Sequence, residues 1–327
     1  MDVFAQVVRD HGPVLLGLAA AAGHELGVFG ALQQPKTVAE LAEALDLPPR
    51  RLQALIDALV LSGALVRADV EPQVRYGVGQ PPPYEEPPRH GWGRLAEVVR
   101  TDRALTETLQ DSQALQAFHA HLWQAAQAPA AALSARWAKQ ALPDRPHLLD
   151  LGCGSGAYAD AWLRQFPFGT VTAVDSPEVL ELTAQSLDIH GGRVTLLAGD
   201  ATLLDLAPVH DVVLLCHVLH LHGEPMCRRL LQRAVAALAP GGIVVVKDLD
   251  LHADRLGPAT GVLFALDMAL YTSEGTVHVP ATIAGWMAEA GLAVDGVERL
   301  PGDGCLVVGQ NLGITEKWTA TSMEPRP

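Results

Sequence analysis

Positive charge is what this sequence most lacks: 23 Lys and Arg stand against 37 Asp and Glu, for a formal net charge of −14. Phosphate contacts dominate nucleic-acid affinity and anionic lipid demands the same cations, so the balance argues against a nucleic-acid or membrane-surface partner. It leaves a small cationic ligand open. Long apolar runs are missing too; none reaches the roughly 18 residues that a membrane-spanning helix requires. The stretch 13–23 has the length and small residues of a signal-peptide core, but Asp2 and Asp10 outnumber Arg9 where a secretion signal is basic. Cysteine is scarce, and Cys153, Cys216, Cys227 and Cys305 lie far apart with no C-x-x-C spacing. That pattern fits free thiols in a reducing compartment rather than a disulfide scaffold. The expectation is a cytoplasmic protein. What is plentiful is core material: 49% hydrophobic residues with 18% charged is a globular balance, in a chain of 327 residues that can hold two domains.

Helical spacing dominates the first part of the chain. Val38, Leu41, Leu45 and Leu47, then Leu52, Leu55, Ile56, Leu59 and Val60, recur at intervals of three and four. Thr37 with Glu40 three residues on forms a capping box, Pro48 and Pro49 separate two helices, and Gly63 ends the second. Residues 64–66 and 75–78 read as a short hairpin, which completes a winged-helix pattern. Residues 1–90 hold seven Lys and Arg (Arg9, Lys36, Arg50, Arg51, Arg67, Arg75, Arg89) against eleven Asp and Glu. Only Arg50 and Arg51 fall together near the recognition-helix position. The acidic, apolar surface therefore suits a second copy of the chain better than DNA. A Pro-rich stretch, 80–88, reads as a linker, and helical spacing resumes at 92–99 and 115–137. Phe118, Leu122 and Trp123 there read as core, His119 and His121 as solvated.

From His147 the rhythm changes. Short apolar runs at 148–151, 171–174, 194–197, 212–216, 243–246 and 305–308 alternate with helical patterns at 158–166, 179–187, 227–238, 261–270 and 282–290. Such alternation predicts a mostly parallel sheet with helices on both faces. The first run leads straight into Gly152-Cys153-Gly154-Ser155-Gly156, where glycines allow a sharp turn and close approach of a ligand. Alone, the loop also fits a relaxed dinucleotide fingerprint. Three carboxylates at successive strand ends argue otherwise. Asp150, just before the loop, opposes a pyrophosphate and suits an ammonium group. Asp175 stands where a carboxylate accepts from ribose hydroxyls, and Asp200 where it accepts from an adenine amino group. Further on, His217, His220 and His222 crowd into six residues after the apolar run 212–216. A neutral imidazole there can take a proton from a hydroxyl as it attacks a sulfonium methyl. A metal reading stays open, with His217, His220, His222, His278 and Asp248 as candidate ligands, although no spacing among them is a zinc pattern.

These motifs carry a resemblance. LLDLGCGSG at 148–156, VDSPEV at 174–179, AGDA at 198–201, DVVLLCHVLH at 211–220 and LAPGGIVVVKDL at 238–249 resemble the class I S-adenosylmethionine-dependent methyltransferases. More narrowly, they are similar to small-molecule O-methyltransferases with an N-terminal winged-helix dimerisation domain. The weaker EGTVHVPATIAGWMAEAGL at 274–292 agrees. The resemblance implies an α/β fold with a Rossmann-like, mostly parallel seven-stranded sheet, plus a mainly α N-terminal domain. It also implies a homodimer joined through that domain and a small-molecule substrate. The expected organisation is a dimerisation domain with its linker over 1–88, connecting helices over 89–146, a catalytic domain over 147–311 and a loose tail over 312–327. For the cofactor, S-adenosylmethionine, the expected site comprises Asp150, Gly152, Gly154, Gly156, Asp175, Ser176, Asp200, Ala201 and Cys216. The resemblance makes His220 the general base and Asp248 its orienting partner. It puts Phe264, Met268 and Tyr271 in the roof of the acceptor pocket, with His217 and His278 beside them. No metal is expected. Two positions depart from the plant relatives' pattern: Leu221-His222 follows His220 where they read Asp-Trp, and Val277 replaces a glutamate.

Overall fold

The computed structural model describes residues 3–70, 73–105 and 112–312. The N-terminal part comprises α1 (Val3–Glu25), α2 (Val28–Ala31), α3 (Val38–Leu45) and α4 (Pro49–Leu61), then a hairpin of β1 (Leu65–Val70) and β2 (Gln73–Val78). The local signals act as read. Glu40 N donates to Thr37 Oγ1 at 3.1 Å, and Thr37 N donates back to Glu40 Oε2 at 2.8 Å, closing the capping box. Pro49 opens α4, where its missing N–H costs nothing. Gly63, at φ +78°, turns the chain into β1. The stretch 80–88 carries no helix or strand, and α5 (Leu95–Thr101) follows it. A long helix, α6 (Ser112–Trp137), then leads to the sheet.

The sheet is built from β3 (His147–Leu151), β4 (Thr170–Asp175), β5 (Val194–Ala198), β6 (His210–Cys216), β7 (Leu238–Leu249), β8 (Ala293–Leu300) and β9 (Gly304–Gln310). Its order is β5-β4-β3-β6-β7-β9-β8, with β9 antiparallel to the other six strands, which run parallel. Between them run α7 (Ala157–Gln165), α8 (Pro177–Leu187), α9 (Glu224–Ala236), α10 (Ala259–Tyr271) and α11 (Pro280–Glu289). Alternate residues of the central strands bury on opposite faces. Leu148, Leu214 and Val245 pack with α6, α7 and α8, while Leu149, Leu215 and Val246 pack with α9 and α11. β8 escaped the apolar-run reading because it is an edge strand. Its Asp295, Glu298 and Arg299 face solvent, so no apolar run marks it.

The N-terminal region does not hold a core of its own. One hydrophobic cluster joins Leu52, Leu55 and Leu59 of α4 to Val262, Leu263 and Leu266 of α10. Arg50 donates to the carbonyls of Ser273 and Gly275, and Arg51, fully buried, pairs with Asp102 at 2.5 Å. The two arginines of the would-be recognition helix are thus spent on internal contacts. All four cysteines are buried and free. No described helix is long and apolar enough to cross a membrane. Of the expected tail, 313–327 lies outside the described residues.

Candidate active site

In the sheet order, β3 sends its chain one way to β4 while β6 lies on its other side. That reversal opens a crevice at the carboxyl ends of the strands, where open α/β sheets bind ligands. A cavity of about 720 Å³ lies there. It is lined by Asp150, Gly152, Gly154, Asp175, Ser176, Asp200, Ala201 and Cys216, so all but one of the expected cofactor residues meet in it.

The exception is Gly156. A Cβ there would stand 2.9 Å from Thr183 Cγ2 and 3.2 Å from Leu187 Cγ, so this glycine serves the packing of the loop on α8 and is not among the residues that line the cavity. Gly154 is the opposite case. At φ +50° it lines the cavity with no atom within 4 Å of a Cβ position, leaving a bare backbone cradle. Its N–H donates to Asp175 Oδ2 at 2.9 Å, and Ser176 N donates to Oδ1 at 2.8 Å, which fixes the carboxylate at the end of β4. Ser176 Oγ is occupied as the cap of α8. Asp200 is held by Thr202, whose hydroxyl and backbone N–H donate to Oδ1 at 2.7 and 2.8 Å; these bonds, the hydroxyl's first, lower its pKa. Asp150 is buried, and its Oδ2 has no hydrogen-bond partner among the described residues. Burial, with the Asp175 charge second, pushes its carboxyl up to about 7. An orphaned carboxylate oxygen beside a bare glycine cradle fits the ammonium end of an amino-acid ligand.

The histidine loop supplies the other wall. Residues 219–221 form a short 3₁₀ turn, so His217, His220 and His222 all reach the cavity instead of alternating. His220, buried, bonds through Nδ1 to Asp248 Oδ1 at 2.7 Å, and its own N–H donates to Asp248 Oδ2 at 3.2 Å. Leu249 N adds a third bond, to Oδ1 at 2.9 Å. Burial alone would raise the Asp248 pKa, but the charge and hydrogen bond of His220, with help from His217 and Leu249, hold it well below the usual range. In its neutral form, a His220 ring that donates from Nδ1 to Asp248 keeps a lone pair on Nε2. His217 sits at φ +58°, and buried Lys247 donates to its Nε2 at 2.7 Å.

Among the described residues, His217, His220 and Asp248 are the group whose donor atoms gather closely enough for a metal ion, within 4.8 Å of one another. The bonds just named already engage both Asp248 oxygens. His278 is drawn elsewhere. Its Nε2 donates to the carbonyl of His222 at 2.9 Å, with the Leu219 carbonyl at 3.2 Å, and its ring packs edge-on against Trp286. It braces the 3₁₀ turn and is not among the residues that line the cavity, unlike the position beside the substrate expected for it. Tyr271 likewise is not among the lining residues: it packs against the N-terminal core, on a face of α10 turned away from the cavity. Phe264 and Met268 do line the cavity, with the Phe264 ring edge-on to His220 at 4.9 Å.

Sequence reasoning missed five contributors. Phe118, His119 and Leu122 of α6 line the cavity, and His119 has a buried Nε2 with no partner among the described residues, contrary to its expected solvation. Lys247 hides inside an apolar strand run. Asp267 sits unremarked on α10, where it lines the cavity and accepts the Trp92 indole N–H at 2.9 Å. A charged residue inside an otherwise apolar strand or helix was the available signal for the last two.

Fold and site together define an α/β enzyme with a ligand crevice at the sheet's switch point and a His–Asp pair on its wall. The chain belongs to the O-methyltransferase domain family, which matches residues 104–293. Relatives agree. A 3-hydroxy-5-methyl-1-naphthoate 3-O-methyltransferase of Streptomyces sahachiroi is 30% identical over 211 residues, covering 62% of this chain and 60% of that one. The tetracenomycin polyketide synthesis 8-O-methyl transferase of Streptomyces glaucescens is 26% identical over 306 residues, covering 88% and 90%. The chain thus spans well under two thirds of the first relative and most of the second. Among solved structures, an O-methyltransferase family 2 protein from Planctomyces limnophilus, in complex with apigenin, superposes with a TM-score of 0.72 at 25% identity, covering 95% and 96%.

Proposed function

We propose that this protein is an S-adenosylmethionine-dependent O-methyltransferase acting on a small, largely apolar hydroxylated metabolite. One observation carries the reading: a single cavity is lined both by the strand-end carboxylates Asp150, Asp175 and Asp200 and by His220 of the His220–Asp248 pair. The first set suits the ammonium, ribose and adenine of the cofactor. The second suits removal of a hydroxyl proton. Bound S-adenosylmethionine supplies an activated methyl on a sulfonium, so the protein need only align an acceptor oxygen and remove its proton.

The roles follow from the bonds. Asp150 offers its unpartnered Oδ2 to the ammonium, and Asp175, fixed by two backbone N–H groups, keeps lone pairs for ribose hydroxyls. Asp248 holds His220 in the Nδ1–H tautomer, so Nε2 takes the acceptor proton and the imidazolium that forms faces a carboxylate. Phe264 and Met268 supply the apolar wall. Named relatives that methylate a naphthoate and a polyketide support an aromatic acceptor. Residues 1–88 are read as a dimerisation domain and the protein as a cytoplasmic homodimer, which light scattering on the purified chain tests.

Calorimetry with S-adenosylmethionine, and separately with NAD, tests the cofactor; micromolar binding of the first alone is expected. With a productive acceptor in hand, His220→Ala is expected to lower turnover about 10²–10⁴-fold and leave cofactor affinity within a few fold. Full activity in that variant would remove His220 as the base.

A further inference from the structure

Asp267 stands on α10 between Phe264 and Met268, one helical turn from the ring that packs on His220. Phe264, Asp267 and Met268 share a helix face, and all three line the cavity. The carboxylate has one hydrogen bond among the described residues, from Trp92 Nε1 to Oδ1. Trp92 lies in a 3₁₀ turn, Gly91–Arg94, so the N-terminal part of the chain reaches across 175 residues to orient this side chain. No Lys or Arg pairs with Asp267 among the described residues, and burial raises its pKa to about 6. To anchor an indole N–H, any neutral acceptor would serve at lower cost. A carboxylate offers about four lone pairs, and Trp92 uses one. The residue lines the cavity beside Phe264 and Met268, with His220 near enough to act on its charge.

Resting on the methyl-transfer reading, we propose that Asp267 is a specificity residue that accepts a hydrogen bond from a second donor group of the acceptor molecule. The acceptor class is then an apolar, aromatic-bodied molecule with two donors: the hydroxyl presented to His220, and a further hydroxyl or amine N–H presented to Asp267. Trp92 is the positioning residue. It holds Oδ1 and so leaves Oδ2 for the ligand.

Binding rather than turnover is the readout. Naphthol, the isomeric naphthalenediols and the corresponding aminonaphthols are titrated calorimetrically into the full-length protein, with and without S-adenosylhomocysteine. Wild type is expected to bind at least one two-donor probe about 10-fold or more tighter than naphthol, the scale of a hydrogen bond to a charged group. Asp267→Leu should erase that advantage and leave naphthol within about 3-fold. Asp267→Asn, which keeps an acceptor oxygen and the Trp92 bond, should retain part of it. Trp92→Phe should weaken the preference without abolishing naphthol binding. A preference for the diols over the aminonaphthols, or the reverse, identifies the second donor. The proposal is overturned if wild type shows no advantage for any two-donor probe, or if Asp267→Leu keeps it. It is also overturned if Asp267→Asn weakens naphthol as much as the favoured probe, which would make Asp267 a scaffold residue. Adding S-adenosylmethionine to the same mixtures separates the two readings. Absence of any methylated product would count against methyl transfer, while the binding preference still decides Asp267.

Discussion

Asp150 makes the most direct demand at the scale of single residues. Its carboxyl, with an ordinary value near 3.8, is pushed up to about 7 by burial and by Asp175. A raised folded pKa means the fold prefers the protonated form, so this contribution to stability is full below about 4 and lost as pH rises through about 7. An ammonium docking on Oδ2 reverses the preference and expels the proton. Cofactor binding at pH 6 is therefore expected to release close to one proton. Calorimetry in buffers of differing ionisation enthalpy reads it directly, and Asp150→Asn should abolish it. The glycines of the loop divide just as sharply. Gly154→Ala puts a methyl into the bare cradle at φ +50°, so cofactor affinity should fall about 10-fold or more. Gly156→Ala meets Thr183 and Leu187 instead. It should cost about 1–3 kcal/mol of stability, seen in thermal melts, with the smaller effect on cofactor affinity.

At the scale of elements, most of the sheet was legible because buried parallel strands are short apolar runs that need no tertiary information. β8 was not, since an edge strand facing solvent can carry Asp295, Glu298 and Arg299 at no cost. The histidine loop shows the limit of periodicity. Extended chain would send His220 and His222 to opposite faces, yet a 3₁₀ turn brings both to the cavity and leaves His278 outside as its brace. His278→Ala should loosen that turn. Turnover is expected to fall about 10-fold with the His220→Ala residue unable to lose further from the same change, a coupling that a double-mutant cycle of His220 and His278 measures. Independent, additive losses would show that the brace does not act through His220.

At the scale of the whole molecule, the N-terminal helices and α10 share one core, and Arg51 is the polar pin through it. Its guanidinium is fully buried, pairs with Asp102 and also donates to the carbonyl of Thr272. Arg51→Ala removes these bonds and leaves a cavity, so a loss of about 2–4 kcal/mol in denaturant unfolding is expected. At the amino-terminal ends of the central strands β3 and β6, the tilted rings of His147 and His210 lie 4.4 Å apart, and burial lowers both pKa values from 6.5. A lowered histidine pKa means the fold prefers the neutral ring. Their contribution is present above about 6.5 and drains away as pH falls below it. Comparing the wild type with a His147→Gln, His210→Gln double variant between pH 7 and 5 should show the variant losing less stability. An unchanged slope would assign the acid sensitivity elsewhere.

The sequence by itself determined the alternation of strands and helices apart from β8, the glycine loop, and Asp150, Asp175 and Asp200 at three strand ends. Each of these is written locally, since a strand's period, a turn's need for glycine and the residue at a strand's end are properties of neighbouring positions. Only the tertiary structure decided what those positions face. It set Lys247 against His217 and Trp92 against Asp267, turned Gly156 and Tyr271 into packing residues, and drew His119 into the cavity. Those outcomes depend on how α6, α10 and the 219–221 turn pack against elements far away in the chain. Neither composition nor spacing carries that geometry.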